Sequence, residues 1–128
     1  MIPQGLLYTN EHEWVKLDGA VGTVGITDHA QSALGDITFV ELPPAGKALS
    51  KGDEACVVES CKAAASVYTP ADGSVTEGNA AVDEDPSLVN SDPYGQGWLY
   101  KIAFTDAGAL AGLMNAEQYA QFLEEQEH

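Results

Sequence analysis

The sequence predicts a mainly β protein, a β-sandwich or flattened barrel with a short helix after the first hairpin and another helix at the C-terminus. Three observations support this fold class. Short runs of β-branched and aromatic residues recur along the chain. Turns that carry Gly or Pro separate these runs. The length of 128 residues favours a single domain over residues 1–128.

The predicted strands alternate with turns that carry Asp, Gly or Pro. Asp18-Gly19 is a strong hairpin signal, and Lys51-Gly52-Asp53 is a turn before a later strand. A further turn, Pro70-Ala71-Asp72-Gly73, separates two more β-runs. The strand-like runs are 14–17, 21–26, 37–42, 57–58, 67–68, 74–77 and 98–104.

A short helix is predicted after the first hairpin. Asp28 is its expected cap, Gln31 its capping-box partner and Gly35 its stop. Residues 83–89 are expected to form one helical turn, with Pro86 near its start.

The C-terminal helix begins with a second capping box, formed by Asn115 and Gln118. Its apolar residues recur at helical spacing, so they share one face. These residues are Tyr119, Phe122 and Leu123. Glu124, Glu125 and Glu127 follow as a frayed acidic end.

The formal net charge of -15 argues against nucleic acid and anionic membranes as partners, because a phosphate backbone requires neutralising Lys and Arg. The charge favours partners with basic docking sites, although a solvated surface without a partner explains it equally well. The N-terminus shows no signal peptide, and no apolar run reaches the roughly 20 residues of a membrane span. We expect a cytoplasmic protein if the source is bacterial, and a matrix protein if the chain is a processed mitochondrial one.

The two cysteines, Cys56 and Cys61, are not expected to form a disulfide, because a straight strand would point them to opposite faces. Cys56 is predicted to lie in the core. Cys61 is predicted to be exposed, where it could exchange with a nearby disulfide.

Lys62 lies between two β-runs in a turn of small residues. The chain has five lysines and no arginine, so this lysine is not part of a basic surface. A lysine at such a tip suits modification by another enzyme. An ordinary surface lysine is the alternative if the residue is considered alone.

Six segments, in order along nearly the whole chain, resemble the H-protein family of the glycine cleavage system, whose members are lipoyl carriers. They are 8–14 (YTNEHEW), 24–35 (VGITDHAQSALG), 39–43 (FVELP), 59–64 (ESCKAA), 89–93 (VNSDP) and 94–99 (YGQGWL). The resemblance implies a lipoyl-type hybrid of flattened barrel and sandwich, with two small sheets related by a pseudo-twofold axis. It also implies that the helix near residue 28 and the C-terminal helix are additions to a minimal carrier domain.

The resemblance implies that lipoic acid is attached to Lys62 as lipoyl-lysine. Glu59, Ser60 and Ala63 are then the residues that the attaching enzyme recognises, and the small Ala63 side chain leaves room for its pocket. The alternative for Glu59 is that it simply ends the strand. A biotin carrier is the weaker interpretation, because biotin domains place the lysine between methionines and here Cys61 and Ala63 flank it.

The resemblance also implies a pocket for the loaded arm, lined by His12 and Glu13. A carboxylate there would hold the cationic aminomethyl load, and exclusion of water would slow its loss. The alternative is that Glu13 is a solvated residue at the start of a strand. Two contacts of some family members are in doubt, because Ala33 and Ser66 occupy the corresponding positions.

The implied partners are a pyridoxal-phosphate glycine decarboxylase, a tetrahydrofolate-dependent aminomethyltransferase, a flavin (FAD) dihydrolipoamide dehydrogenase and the lipoyl-attaching enzymes. The chain itself is then a non-catalytic monomeric carrier. Two other hypotheses stay open: a relay that donates lipoate to other carriers, and a small enzyme that uses Cys61 and Lys62 directly. Asp28 and His29 are not expected to bind metal, because adjacent helical side chains point apart and His12 and His128 give no ligand spacing.

Overall fold

The computed structural model describes residues 2–126, most of whose regular structure is β. The strands are Leu7–Tyr8 (β1), Glu13–Asp18 (β2), Val21–Ile26 (β3), Ile37–Glu41 (β4), Ala48–Leu49 (β5), Glu54–Ser60 (β6), Ala64–Tyr68 (β7), Gly73–Gly78 (β8) and Tyr100–Phe104 (β9). The helices are Asp28–Leu34 (α1), Ala80–Glu84 (α2), Leu88–Ser91 (α3) and Ala116–Gln126 (α4), with a 3-10 helix at Ala107–Gly112.

The strands form two antiparallel sheets. The larger has six strands in the order β1-β2-β3-β9-β8-β5, and the smaller has three in the order β4-β6-β7. The first hairpin turns between Asp18 and Val21, as Asp18-Gly19 predicts. The mainly β fold class predicted from the sequence is confirmed.

One buried cluster contains residues from both sheets, so the sheets share a core. The alternation of buried and exposed positions along the strands supplies its apolar side chains. Val15 and Ile102 belong to the six-stranded sheet, and Val40, Val58 and Cys56 belong to the three-stranded sheet. The prediction that Cys56 lies in the core is confirmed, and both cysteines are free.

A second, smaller cluster packs α4 against β1 and β2. The rings of Tyr8 and Tyr119 stack with their centroids 4.7 Å apart, and Trp14 is buried beside them. The predicted capping box is present, since the backbone N–H groups of Asn115 and Gln118 each donate to the other residue's side chain at 2.9 Å. The predicted acidic end is only partly visible, because Glu127 and His128 lie outside the described residues.

Two helix predictions are wrong in detail. Thr27, not Asp28, caps α1: its backbone is extended and its hydroxyl accepts a hydrogen bond from the Ala30 N–H. Asp28 is instead the first helical residue, where its charge favours the positive end of the helix dipole, and its carboxylate accepts a bond from Gln31.

The single helical turn predicted over residues 83–89 is also wrong. The structure has two short helices, α2 and α3, with Pro86 between them. Asn79 caps α2 through its side chain, which accepts from the Ala81 N–H at 3.1 Å. Across residues 2–126, no helix has both the length and the apolar character needed to cross a membrane.

Candidate functional site

Lys62 is exposed at the tip of the hairpin that joins β6 to β7. The tip is short because β6 ends at Ser60 and β7 begins at Ala64. The Ser60 N–H donates to the Ala63 carbonyl at 2.8 Å, which closes the turn. The Ser60 hydroxyl lies 3.3 Å from the Lys62 N–H and 3.2 Å from the Ala63 N–H. These bonds fix the backbone that carries Lys62 and leave its side chain outside the sheet.

The neighbours of Lys62 place little bulk at the tip. Cys61, Ala63 and Ala64 are all exposed, as predicted for Cys61. Glu59 is half-buried, and in the sheet register it lies between Ala64 on β7 and Phe39 on β4. A large pocket of another protein can therefore approach the lysine without meeting large side chains at the turn.

The Lys62 side chain runs past the end of α1. A Cβ built at Gly35 would lie 3.6 Å from the Lys62 Cε, an ordinary contact distance. Gly35 caps α1 with φ +82° and ψ -157°, a conformation that glycine adopts readily and other residues rarely do. The predicted helix stop therefore also forms part of the surface beside the lysine.

Asn90, on α3, holds this segment in place, and the sequence analysis did not single it out. Its side-chain oxygen accepts from the Ile37 N–H at 2.8 Å. Its amide nitrogen donates to the Gly35 carbonyl at 2.9 Å and to the Gln31 side chain at 2.8 Å. One side chain thus links α1, α3 and the start of β4 beneath the Lys62 side chain.

Glu13 is a buried carboxylate, only 3% exposed. It accepts a hydrogen bond from the Tyr68 N–H at 2.5 Å and one from the Thr9 hydroxyl at 3.0 Å. Burial raises the pKa of Glu13 to about 7, although both hydrogen bonds act in the opposite direction. The alternative that Glu13 is a solvated residue is therefore wrong.

A groove of about 290 Å³ opens beside Glu13. Lys51 is a cationic side chain on its wall, and Tyr68 and Leu113 add apolar surface. Sequence reasoning missed Thr9, Tyr68 and Lys51, because they come from three separate segments that only the fold brings together. The groove is lined by Thr9, Asn10, Glu11, Glu13, Lys51, Gly52, Tyr68, Thr69, Pro70 and Leu113.

The structure does not bring His12 to this groove. Its ring faces α4, where Nδ1 lies 2.8 Å from the Tyr119 hydroxyl. That hydroxyl lies 2.7 Å from the Thr27 hydroxyl, and the His12 ring centroid is 4.6 Å from that of His29. Burial, and then the nearby His29, lower the pKa of His12. Glu13 and His12 are adjacent in sequence, but their side chains therefore lie in two different parts of the structure.

Ala33 and Ser66 both carry uncharged side chains. Ala33 is exposed, and the Ser66 hydroxyl donates to the Glu54 carboxylate at 2.7 Å. Residues 2–126 contain no group of three or more His, Cys, Asp or Glu side chains placed to hold a metal ion.

Comparison with known proteins identifies the family. The family described as "Glycine cleavage H-protein" matches residues 6–126. The chain is 49% identical to a glycine cleavage system H protein of Carboxydothermus hydrogenoformans, covering 98% of this chain and 97% of the relative. It is 52% identical to one of Alteromonas mediterranea, with 98% of each chain covered.

A solved structure has the same fold. The crystal structure of a glycine cleavage system H protein from Mycobacterium marinum matches with a TM-score of 0.87 at 40% identity, covering 96% of this chain and 99% of the other. Sequence and fold agree over nearly the whole chain. The chain belongs to the glycine cleavage H-protein family.

Proposed function

We propose that this chain is the lipoyl-bearing shuttle of a glycine cleavage system, with lipoic acid attached through an amide to Lys62. The observation that carries the proposal is the exposed position of Lys62 on a hydrogen-bonded hairpin tip, in a chain of this family. The shuttle carries an aminomethyl group from glycine decarboxylase to the aminomethyltransferase, and reducing equivalents to dihydrolipoamide dehydrogenase.

The residues around Lys62 fit an attached arm. Within residues 2–126 one salt bridge is present, between Lys101 and Glu77. In this part of the chain no carboxylate therefore forms a salt bridge with the Lys62 amine. The small tip residues leave space on the side facing solvent. When attached, the lipoyl group supplies the dithiolane that accepts the load and the electrons. The protein supplies the tether and the partners supply the catalysts.

The Glu13 groove is the proposed resting place for the end of the arm. Strand β7 runs from the hairpin to Tyr68, whose N–H binds the Glu13 carboxylate. With a rise of about 3.3 Å per residue, Tyr68 lies roughly 13 Å along the strand from Ala64 and at most roughly 20 Å from Lys62. A lipoyl-lysine has about eleven bonds between its Cα and the ring, and its extended length of roughly 14 Å is of the same order.

The Glu13 carboxylate would attract the cationic aminomethyl group carried by the arm. A carboxyl with a pKa raised to about 7 is only partly ionised near neutral pH. A cation nearby favours the ionised form, so loading the arm would lower the Glu13 pKa and strengthen the attraction. The walls of the groove would also restrict the approach of water to the load.

The proposed carrier is a single domain and a monomer, without catalytic residues of its own. Its net charge of -15 favours partners that present basic surfaces. The proposed partners are the pyridoxal-phosphate decarboxylase, the tetrahydrofolate-dependent transferase, the FAD-containing dehydrogenase and the lipoyl-attaching enzymes. The proposed location is the compartment that contains them, the bacterial cytoplasm or the mitochondrial matrix.

A reconstituted exchange assay tests this function. Glycine decarboxylase is mixed with the lipoylated chain, and the exchange of labelled bicarbonate into glycine is measured. We expect exchange that depends on the amount of lipoylated chain and is absent with the Lys62→Arg variant. Exchange that is equal with unmodified and lipoylated chain would contradict the proposal.

A further inference from the structure

Phe39, on β4, is the most exposed large apolar side chain within residues 2–126. It is 50% exposed, against 38% for Tyr68 and 37% for Leu17. Val40 is buried, and the strand is irregular between Ile37 and Phe39, so Phe39 and Glu41 both point to the outer face of the three-stranded sheet. A large exposed aromatic side chain can insert into an apolar pocket of another protein and anchor it there.

The outer face carries apolar and acidic side chains side by side, with Phe39 and Glu41 on the edge strand β4 and Glu59 on the central strand β6. The register places Phe39 opposite Glu59, and Glu41 opposite Val57. Glu54 lies on the same face, since it accepts a hydrogen bond from Ser66. Strands β4, β6 and β7 contain no lysine or arginine. A protein that binds this face must offer an apolar pocket bordered by Lys or Arg side chains.

The face is continuous with the hairpin that carries Lys62. Glu59 precedes Lys62 by three residues, so their Cα atoms are at most roughly 10 Å apart. Phe39 lies directly across the sheet from Glu59, about 5 Å away between Cα atoms. A protein seated on Phe39 therefore has the Lys62 amine within reach of its own surface.

The length of the lysine side chain also indicates which partner binds this face. The lysine side chain extends only about 6 Å from its Cα to Nζ, so an enzyme that forms a bond to Nζ must come down onto the hairpin. An enzyme that acts at the end of the loaded arm works roughly 14 Å away and needs no contact with the sheet. The outer face beside the hairpin thus suits the enzyme that modifies the lysine itself.

We infer that Phe39 anchors the lipoyl-attaching enzyme on this face, with Glu41 and Glu59 pairing with basic residues around its apolar pocket. The inference rests on the proposed function, because it requires Lys62 to be the modified residue. It adds a recognition surface on β4, a strand remote in sequence from the residues that flank the lysine.

The test compares the rates at which unmodified variants are lipoylated. A lipoate–protein ligase is supplied with lipoate and ATP, and attachment to Lys62 is followed by intact mass. Phe39→Ala is matched by Leu17→Ala, since Leu17 is an exposed apolar residue on β2 of the other sheet. Glu41→Lys is matched by Asp18→Lys, an exposed acidic position at the end of β2.

We expect Phe39→Ala to lower kcat/KM for attachment about tenfold, mainly through a higher KM, because truncating a central anchor weakens binding. Phe39→Leu should retain most of the rate. Glu41→Lys should lower kcat/KM several-fold at low salt, and the deficit should shrink as salt screens the charges. Both control variants should stay within twofold of wild type.

The outcomes separate the two proposals. If wild type is not modified at Lys62, the proposed function itself fails. If wild type is modified and Phe39→Ala matches Leu17→Ala, only the docking surface is overturned. The docking surface is also overturned if Phe39→Ala is attached normally but, once fully lipoylated, is defective in glycine exchange. It is overturned as well if the only effect of the variant is reduced self-association in sedimentation. Urea midpoints of all variants check that the fold is retained.

Discussion

The carboxylate of Glu13 and the backbone N–H of Tyr68 join the two sheets through a hydrogen bond of 2.5 Å. Glu13 begins β2 of the six-stranded sheet, and Tyr68 ends β7, the strand that leads away from Lys62. The Tyr68 N–H, a backbone donor at the end of an edge strand, is thereby satisfied by a buried side-chain acceptor. The same carboxylate faces the groove, so it links the structure of the hairpin to the proposed arm site.

The raised pKa of Glu13 predicts that Glu13→Gln changes how stability depends on pH. Between about pH 4.5 and pH 7, Glu13 keeps its proton in the folded state but has lost it in the unfolded state. Wild type therefore loses stability as pH rises through this window, by about 3 kcal/mol in total. The Gln variant lacks this loss, so the difference should appear in urea unfolding at pH 4.5 and pH 8.

Glu11→Gln is the matched control for that experiment, because Glu11 is an exposed carboxylate two residues away. Its change in stability between pH 4.5 and pH 8 should follow wild type. If Glu13→Gln also follows wild type across this range, the burial of a proton-binding carboxyl at this position is contradicted.

The lowered pKa of His12 predicts that stability falls as pH decreases, which is opposite in sign to the effect of Glu13. The folded state disfavours the charged imidazole, chiefly through burial and then through His29. Stability is therefore fully present above the unfolded pKa of about 6.5 and decreases as pH falls below it. His12→Asn should reduce that decrease, because Asn carries no titrating group and tolerates the positive φ of 66° at this position.

His29→Asn should have a smaller effect in the same urea titrations. It removes the repulsion between the two rings but leaves His12 buried against Tyr119. Equal slopes for wild type and His12→Asn between pH 7.5 and pH 5 would rule out a penalty for charging His12.

The hydrogen bonds of Asn90 predict a stability cost for Asn90→Ala. The variant loses bonds to the Ile37 N–H, the Gly35 carbonyl and the Gln31 side chain. Leaving partly buried backbone groups unsatisfied should lower the free energy of unfolding by about 2–3 kcal/mol. Hydrogen exchange of the Ile37 amide should also become faster. A general loss of packing elsewhere would not affect this amide selectively.

Asn10→Ala provides the comparison, because Asn10 is exposed. Its free energy of unfolding should stay within about 0.5 kcal/mol of wild type. A similarly small change for Asn90→Ala would show that the network beneath Lys62 contributes little.

Local signals in the sequence predicted some features and not others. The Lys62 tip, the first hairpin and the capping box of α4 depend on residues close together in sequence, and the structure contains all three. The cap of α1 was misassigned because Thr27 and Asp28 both suit a cap. Which of them takes the extended backbone depends on the fold, where the Thr27 hydroxyl also meets Tyr119.

Contacts between distant segments account for what was missed. Asn90 bonds to residues more than fifty positions away, and Tyr68 meets Glu13 across 55 positions. No periodicity or cap signal records such pairs. The placement of Glu13 and His12 in different surroundings likewise depends on where α4 packs, which adjacent positions in a sequence do not reveal.

The central claim is that Lys62 carries the lipoyl group, and intact mass with peptide mapping of the protein from its native host tests it most directly. We expect one lipoyl-amide increment, localised to Lys62, and no increment in a Lys62→Arg variant that unfolds at the same urea concentration as wild type. The matched Lys47→Arg variant, at another exposed lysine, should be modified normally. An unmodified Lys62 from lipoate-replete cells with a competent ligase would contradict the account.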